Sequence, residues 1–356
     1  MKFYLFILLL FASIISAQGE AAVPFLLISP NAHNSGMGEA GAAYPETPSS
    51  AMHYNVAGLA YQAKHGDIYG TKDVTPLDFS YASWLPQLKL NDLWYSYGAT
   101  RFEIEDIGVF GVSLRYINLG EVVVTSADAS SPEGFNVDGR YAALETALNL
   151  AYSTELSENS YIGAGIKFIY SKLAEDGTNV GAENTASPGF SIAVDLGYYQ
   201  LMGDWAEFFR DVRLGISWNN IGPSISYVDN DQSDPLPWTL RAGLGGTIVH
   251  DEFSVLRLEY DVSIMTLEQT LSKYAIGDIA NRFIHNIGAE YIYDNIFSAR
   301  FGVFLENKDF GDRKFFTAGL GFNADIIVLD ASYIISASDN RHPLDGTVRF
   351  SFRFNL

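Results

Sequence analysis

The chain has 356 residues and a formal net charge of −20, from 22 lysines and arginines against 42 aspartates and glutamates. It contains no cysteine, which excludes disulfides, thiol nucleophiles and thiolate metal sites. A chain this acidic is also a poor binder of nucleic acid.

The first predicted element is a secretory signal peptide at residues 1–17. Lys2 precedes an apolar run from Phe3 to Ile15, and Ser16 and Ala17 are the small residues of a cleavage site. We expect cleavage after Ala17, which removes the chain from the cytoplasm. No later stretch has ~18 consecutive apolar residues, yet 48% of the residues are hydrophobic and 14% aromatic. In an exported chain this composition favours a sheet closed on itself in a bilayer.

Residues 18–63 are expected to form an N-terminal periplasmic or plug segment. The segment contains an apolar stretch that does not follow the strand pattern: Val23, Pro24, Phe25, Leu26, Leu27 and Ile28. An exposed apolar run of this length is costly. We therefore expect a short plug element in the lumen of the barrel rather than a flexible tail.

A glycine motif follows within the same segment. Gly36, Gly38 and Gly41 fit G-x-G-x-x-G, the fingerprint of dinucleotide-binding turns. That fingerprint works only between a buried strand and a helix, and here the neighbours are Pro30 and Pro45. We expect a tight turn that glycine permits, folded into or across the periplasmic mouth, and no nucleotide cofactor.

Residues 64–356 are expected to form the barrel. From about residue 77, apolar side chains alternate with Gly, Ser and charged residues, which is the period of a strand. Tyr or Phe recurs at the strand ends, as an interfacial girdle requires. The fourteen predicted strands are 77–86, 93–101, 108–117, 142–153, 160–171, 188–199, 212–219, 239–249, 255–264, 283–294, 297–306, 314–323, 326–336 and 346–355.

The connections between these strands alternate in length. Long loops are predicted at 118–141, 172–187, 220–238 and 265–282, with shorter links between them. Outer-membrane barrels have long outer loops and short periplasmic turns. The sequence therefore predicts an all-β fold, a 14-stranded antiparallel transmembrane β-barrel with a short N-terminal plug-like segment. A soluble periplasmic β-protein would show the same alternation and is the alternative.

Charged residues of both signs fall on the face that would point into the lumen. We take Arg115, Glu145, Arg257, Glu259, Arg349 and Arg353 as lumen candidates, and Lys167, Arg241, Arg300, Asp195, Asp261, Glu290 and Asp330 share that face. Such a mixture can pair across strands and fill the interior. The functional alternative is a polar permeation path.

No catalytic or metal-binding motif is visible in the sequence. The six histidines are scattered without H-E-x-x-H spacing, and no serine lies in a G-x-S-x-G elbow. We expect no metal, no cofactor and no enzymatic activity of the chain itself.

Four blocks of the sequence resemble the PorV/PorQ family of outer-membrane barrels. They are Val23–Ala60, including the turn motif and the segment Asn55-Val56-Ala57; Leu114–Thr125; Asn219–Leu244; and Arg313–Leu356, whose P-L-D-x-T-x-R-F-S pattern is the most specific. The last block resembles PorV more than PorQ. Asn55-Val56-Ala57 departs from the usual N-P-A, which leaves the shape of the plug segment open.

The resemblance implies a 14-stranded barrel similar to long-chain fatty-acid transporters, with a part in type IX secretion. The implied partners are the outer-membrane translocon, a sortase-like attachment complex, secreted proteins with C-terminal signal domains, and outer-membrane lipid. The barrel would take substrates by their signal domains and pass them to the attachment complex.

Acidic, Gly/Pro/Ser-rich loops are where such partners could dock. The outer-loop candidates are Glu133, Phe135, Asp229, Asp231, Asp234 and Trp238. Ordinary solvated surface loops would look the same. The leading hypothesis is thus a secretion component; the alternatives are a channel for hydrophobic small molecules, similar to fatty-acid transporters, and a plain porin.

Overall fold

Fourteen strands close into an antiparallel barrel in the part of the chain that the structure describes, which confirms the predicted fold class. The computed structural model describes residues 21–67, 69–71, 74–90, 92–127, 130–131, 133–177, 185–228, 233–265, 281–308, 311–337 and 342–356. The predicted signal peptide lies outside these residues. Within them, no helix is long and apolar enough to cross a membrane.

The strands follow one another around the barrel in chain order. They are β1 (Pro76–Ser83), β2 (Leu93–Ile104), β3 (Gly108–Ala127), β4 (Phe135–Ser157), β5 (Ser160–Lys172), β6 (Gly189–Gly203), β7 (Arg210–Ile221), β10 (Thr239–His250), β11 (Ser254–Met265), β12 (Ile284–Tyr293), β13 (Phe297–Leu305), β14 (Lys314–Ala324), β15 (Ile327–Ser336) and β16 (Val348–Asn355). The short strands β8 (Ile225–Ser226) and β9 (Ser233–Asp234) form a separate ribbon. β16 closes the barrel on β1, with Phe79 opposite Phe352.

The apolar face of the strands is exposed and the face with charged residues is buried, the reverse of a soluble β-protein. In β16, Val348 and Phe350 are exposed on the outside, whereas Arg349 and Arg353 are buried inside. β1 repeats this, with Phe79 48% exposed. A soluble β-protein buries its apolar face and exposes its charges. The inversion instead matches a wall that faces lipid and argues against the soluble alternative.

Aromatic side chains lie near both ends of the wall. The Trp94 ring stacks on that of Tyr116 at 5.0 Å between ring centroids, near the end where loops such as 84–92 and 222–238 join the strands. Phe102 and Phe110 stack at 5.8 Å near the other end, where links such as 105–107 are short. Amphipathic and aromatic rings are typical of the two membrane interfaces. We call these ends the long-loop end and the short-turn end.

One predicted loop is wrong. Most of residues 118–141 is not loop, because β3 continues to Ala127 and β4 begins at Phe135, so the two strands form a long hairpin. The β-branched run Val122–Thr125 has a high strand propensity. The predicted strands end where the alternation of apolar and polar residues ends. A hairpin that is exposed on both faces need not alternate, so its strands continue beyond that point.

Residues 21–67 form an N-terminal segment that lies inside the barrel. A 3₁₀ turn at Pro24–Leu27 is followed by helices α1 (Ala32–Gly36), α2 (Pro48–His53) and α3 (Gly58–His65). Side chains cap the first two helices: Asn31 accepts from the Asn34 N–H, and Thr47 from the Ser50 N–H. Pro48 suits the first turn of α2, where no N–H partner is needed.

The N-terminal segment runs through the lumen from one end to the other. The Ala22 N–H donates to Pro235 O in a loop of the long-loop end, at 2.9 Å. At the short-turn end the Ala60 N–H of α3 donates to the Ser153 hydroxyl at 3.3 Å. Helix α3 continues to His65 and β1 begins at Pro76, so the helix crosses the boundary expected at residue 63.

Candidate functional site: the lumen and its N-terminal segment

The apolar stretch Val23–Ile28 lies in the lumen, held by its own backbone carbonyls. Phe25 and Leu26 are 2% and 1% exposed, whereas Pro24 is exposed and Leu27 is half-buried. Arg115 of β3 donates to Phe25 O at 3.1 Å and also to Leu26 O. Arg349 of β16 donates to Ser29 O. Two buried arginines thus bond to backbone carbonyls within the 3₁₀ turn and just after it.

The glycine motif, expected in a segment folded into or across the periplasmic mouth, lies in the lumen against the middle of strands β13 and β14. Gly38 has a φ of 67°, a conformation that glycine adopts without strain. It lies against Gly302 of β13, where an added Cβ would come within 1.9 Å of the Gly38 nitrogen. Likewise a Cβ on Gly36 would lie 3.1 Å from the Gly319 Cα. Glycines on both sides let the segment and the wall touch backbone to backbone.

Polar side chains of the wall hold this same turn. The Thr317 hydroxyl accepts from the Gly38 N–H and donates to Gly36 O, both at 2.9 Å. The Asn286 amide donates to Gly38 O at 2.7 Å. The turn is therefore bonded to β12 and β14 by groups that bury no net charge.

Two carboxylates of β11 bind four successive backbone N–H groups of the segment. Asp261 accepts from Gly41 and Ala42 at 2.9 and 3.1 Å. Glu259 accepts from Ala43 and Tyr44 at 2.7 and 3.1 Å. A residue pair two positions apart on one strand thus fixes an extended stretch of the segment.

Glu46 connects the segment to two arginines of the wall. Its carboxylate oxygens lie 2.5 Å from Arg213 of β7 and 2.5 Å from Arg257 of β11. Both guanidinium groups also lie over the Tyr44 ring, at 4.7 and 5.2 Å from its centroid. Burial alone raises the pKa of Glu46, but attraction to Arg257 and Arg213 outweighs it and holds the pKa below its ordinary value.

Strands β1 and β16 contribute a further contact. Asp78 accepts from the Ser49 N–H at 2.9 Å and from its hydroxyl at 2.6 Å, at the start of α2. Arg353 bridges Asp78 and Asp67, at 2.8 Å to each. The carboxylate at the helix N-terminus is favourably placed. This contact joins the segment to the seam where the barrel closes.

Helices α2 and α3 are held at the opposite side of the lumen. The Asn55 amide donates to Tyr198 O of β6 at 2.9 Å, and the Asn219 amide donates to His53 O at 3.0 Å. The His53 Nδ1 lies 2.9 Å from an Arg115 guanidinium nitrogen. Burial lowers the pKa of His53 well below its ordinary value, and the charge of Arg115 lowers it further. His53 is therefore neutral at physiological pH.

Not every lumen candidate touches the segment. Glu145 is buried and accepts from the Ser171 hydroxyl of the neighbouring strand at 2.8 Å. Arg300 of β13 bridges Glu290 of β12 and Asp330 of β15 at 2.7 and 2.6 Å. Of these three, Glu290 also pairs with a side chain of the segment, His33, at 3.3 Å. The pairs within the wall follow the expected pairing across strands. Arg115, Arg257, Glu259, Arg349 and Arg353 instead bind the segment.

Four residues that hold the segment are not among the lumen candidates predicted from the sequence. They are Glu46, Asp67, Asp78 and Arg213. Arg213 shares the inward face with Gly215, Ser217 and Asn219, so the alternation in β7 could have identified it. Glu46 and Asp67 lie outside the strands, where no periodicity marks them.

The outer-loop candidates are scattered around the long-loop end. Glu133 and Phe135 are exposed at the tip of the β3–β4 hairpin, and Asp234 is exposed in β9. Trp238 is half-buried, and its indole N–H donates to Gly222 O at 3.0 Å. The structure thus gives Trp238 a contact within the rim. Asp229 and Asp231 lie outside the described residues.

Two cavities beside the N-terminal segment are small. One beside Asn31 and Asp78 has a volume of about 10 Å³, and one beside Leu27 and Glu39 about 40 Å³. Pockets for organic ligands run to roughly 300–1,000 Å³, so neither has room for such a molecule. No cluster of three or more His, Asp or Glu side chains that could hold a metal ion occurs in the described residues.

The fold and the lumen define the class of protein: an outer-membrane β-barrel whose lumen contains its own N-terminal segment. The sequence model of one family, described as type IX secretion system protein PorV, matches residues 16–270. The chain belongs to this family. The match ends before the C-terminal block Arg313–Leu356. A comparison with curated proteins finds no match.

Solved structures with a similar fold include proteins described as toluene transporters. The Ralstonia pickettii toluene transporter TbuX is 14% identical, with a TM-score of 0.54 over 92% of this chain and 98% of that one. The P. putida toluene transporter TodX is 11% identical, with a TM-score of 0.55 over the same shares. A Pseudomonas aeruginosa FadL homologue reaches a TM-score of 0.47 at 14% identity, over 97% of this chain and 99% of that one. At these identities the likeness to the two toluene transporters shows the fold alone.

Proposed function

We propose that this protein is a non-enzymatic carrier in type IX secretion. It binds the C-terminal signal domains of secreted proteins at its long-loop end and passes them from the translocon to a sortase-like attachment complex on the cell surface. The membership in the PorV family carries this proposal. In this arrangement the long-loop end faces outward, and the mature chain starts after Ala17.

The way the lumen is filled supports a carrier over a channel. The N-terminal segment is bonded to strands on all sides of the barrel, through Arg115, Glu259 and Thr317 among others. Releasing the segment would leave several buried charged side chains of the wall without their partners at the same time. A substrate handled by such a barrel is more readily bound on its outer surface than conducted through its lumen.

The test is an affinity purification with a tag inserted after Lys89, which is exposed in the β1–β2 loop. The tagged protein is solubilised from outer membranes in mild detergent. Recovery of a very large barrel, a sortase-like protein or cargo with C-terminal signal domains supports the proposal. Unchanged secretion and surface attachment of such cargo after deletion of the gene would end it.

The second candidate is a channel for hydrophobic small molecules. Its supporting observation is the fold shared with proteins described as toluene transporters. Uptake of a labelled fatty acid into liposomes that contain the protein distinguishes the two candidates. Uptake above that of empty liposomes, together with lipid or fatty acid bound in the purified barrel, would favour the channel.

A further inference from the structure

The hairpin of β3 and β4 extends well beyond the rest of the barrel. Pairing of β3 with β2 ends at Leu119, and pairing of β4 with β5 ends at Leu144. Beyond these points Gly120–Ala127 and Phe135–Ala143 pair only with each other among the described residues. An isolated two-stranded ribbon in water is only marginally stable. Each strand of this ribbon has an outer edge that pairs with no other described strand.

A β-bulge lies at the base of the hairpin. Asn118 pairs with Leu144 and Gly120 with Ala143, so Leu119 is an extra residue in β3. Gly120 has a φ of 87°, and an added Cβ would lie 2.4 Å from a carboxylate oxygen of Asp92. That carboxylate accepts from the Glu121 N–H at 3.0 Å. The base of the hairpin is thus fixed to the rim up to Glu121.

The residues of β3 that follow Glu121 lie outside the membrane. Tyr116 belongs to the aromatic pairs near the long-loop end, and Val122 lies six residues further along β3. At roughly 3.3 Å per residue this is about 20 Å along the strand, or about 15 Å along the barrel axis for a strand tilted by ~40°. Val122 and Val123 are nonetheless 37% and 42% exposed. Their surroundings are water rather than lipid.

An exposed apolar strand edge of this kind needs a cover. Natural proteins protect edges with Lys, Pro, bulges or an overlying element. The run Glu-Val-Val-Val-Thr at 121–125 contains neither Lys nor Pro. Within the described residues, no backbone group outside the hairpin bonds to residues 122–125. Among the residues that the structure describes, this edge thus pairs with no further strand.

The edge of β4 is less suited to this role. The register shifts between Val124–Gly139 and Thr125–Val137, which leaves one extra residue in β4 at position 138. The Tyr141 hydroxyl donates to Leu173 O at 2.9 Å, so the loop after β5 lies against this edge. The regular edge is that of β3.

Charge indicates which strand fits. Residues 121–141 carry four acidic residues, Glu121, Asp128, Glu133 and Asp138, against Arg140, a net of −3. A second copy of this chain, with its net charge of −20, would be repelled. A strand with Lys or Arg residues would be attracted.

We propose that the β3 edge at Val122–Thr125 accepts an extended strand with basic residues from the C-terminal domain of a secreted protein, which adds to the hairpin as a third strand. Main-chain hydrogen bonds would supply affinity, and the exposed valines would supply apolar contacts. The inference rests on the proposed carrier function and names the surface that performs it.

The test measures amide hydrogen exchange, resolved to single residues, with and without a purified C-terminal signal domain from a secreted protein of the same bacterium. In β3 every second N–H points away from β4 and exchanges rapidly in the free protein. Binding is expected to slow those amides between Val122 and Thr125 by about tenfold or more, and to leave the outward amides of Val137–Tyr141 unchanged.

Two matched variants accompany this measurement. Val123→Lys places a charge that guards the β3 edge, and Val137→Lys adds the same charge on β4. We expect the first to weaken binding of the signal domain about tenfold or more and the second less than about twofold.

The outcomes separate this inference from the proposed function. Binding without protection at Val122–Thr125, or equal loss in both variants, overturns the inference and leaves the carrier function standing. No binding of the domain anywhere on the intact protein overturns both. Protection of these amides in the free protein, with a dimeric mass in detergent, would assign the edge to a second copy instead.

Discussion

The bridge made by Glu46 offers the sharpest test of how the lumen is filled. Glu46 is 2% exposed and lies 2.5 Å from both Arg213 and Arg257. The substitution Glu46→Gln keeps the shape but leaves the buried Arg257 guanidinium without its carboxylate and leaves Arg213 paired only with Asp211, whose side chain is exposed. Removing one partner of a buried ion pair costs about 3–5 kcal/mol. The loss falls on the docking of the N-terminal segment, because the barrel pairing itself is untouched.

The assay is hydrogen exchange of the backbone amides at residues 41–44 and 46, since Pro45 has no N–H, in detergent or nanodiscs. A docking loss of about 3–5 kcal/mol corresponds to exchange faster by about two to three and a half orders of magnitude. Planar-bilayer conductance should rise as the segment is released more often. The strand amides of β13 and β14 should keep their protection.

Glu155→Gln is the matched control. Glu155 also pairs with the segment, through Lys64 at 2.8 Å, but the two side chains are 40% and 42% exposed. Exposed pairs contribute about 0–1 kcal/mol, so this variant should change exchange less than about tenfold. Equal effects of the two substitutions would refute the argument that the buried bridge holds the segment.

The pH dependence of Glu46 has a definite sign. Its pKa is held below the ordinary value in the docked state, so its contribution is complete above the pKa of the released carboxyl, about 4.3. The contribution is lost as the pH falls through the lower pKa of the docked state. Docking should therefore weaken in acid in the native chain, and Glu46→Gln should lack this part of the pH dependence.

Three further changes test other parts of the structure. Gly302→Ala places a Cβ 1.9 Å from the segment and should raise conductance, whereas Gly98→Ala, with its nearest neighbour at 3.8 Å, should not. The pKa of His53 is lowered by burial, so docking should weaken by up to about 1.4 kcal/mol per pH unit below about 6.5, and His53→Asn should remove that slope in exchange measurements. Phe79→Lys, on the lipid face, should cost about 2–4 kcal/mol of folding free energy in vesicles, and Phe208→Lys, in a short turn, about 0–1. Equal costs at the two phenylalanines, measured by denaturant titration, would contradict the placement of the wall in lipid.

Much of the barrel could be predicted from the sequence, because a strand with one face in lipid must alternate. The predicted strand 160–171 is observed as Ser160–Lys172, and 314–323 as Lys314–Ala324. The β3–β4 hairpin was missed because a ribbon exposed to water on both faces has no such constraint. Side-chain direction was equally predictable, and the inward residues Arg349 and Arg353 follow from the same alternation.

The sequence by itself determined that the chain has a strand period, an apolar outer face and an inward face with charges of both signs. Only the tertiary structure decided what those charges meet. Arg257 binds Glu46 of the N-terminal segment, whereas Arg300 binds its neighbours in the wall. The physical reason is that alternation specifies the face of a strand, while the partner across the lumen depends on barrel closure and on a segment far away in sequence. The contact of Gly38 with Gly302 is likewise set by the path of that segment, since a glycine's lack of a side chain permits close approach without naming a partner.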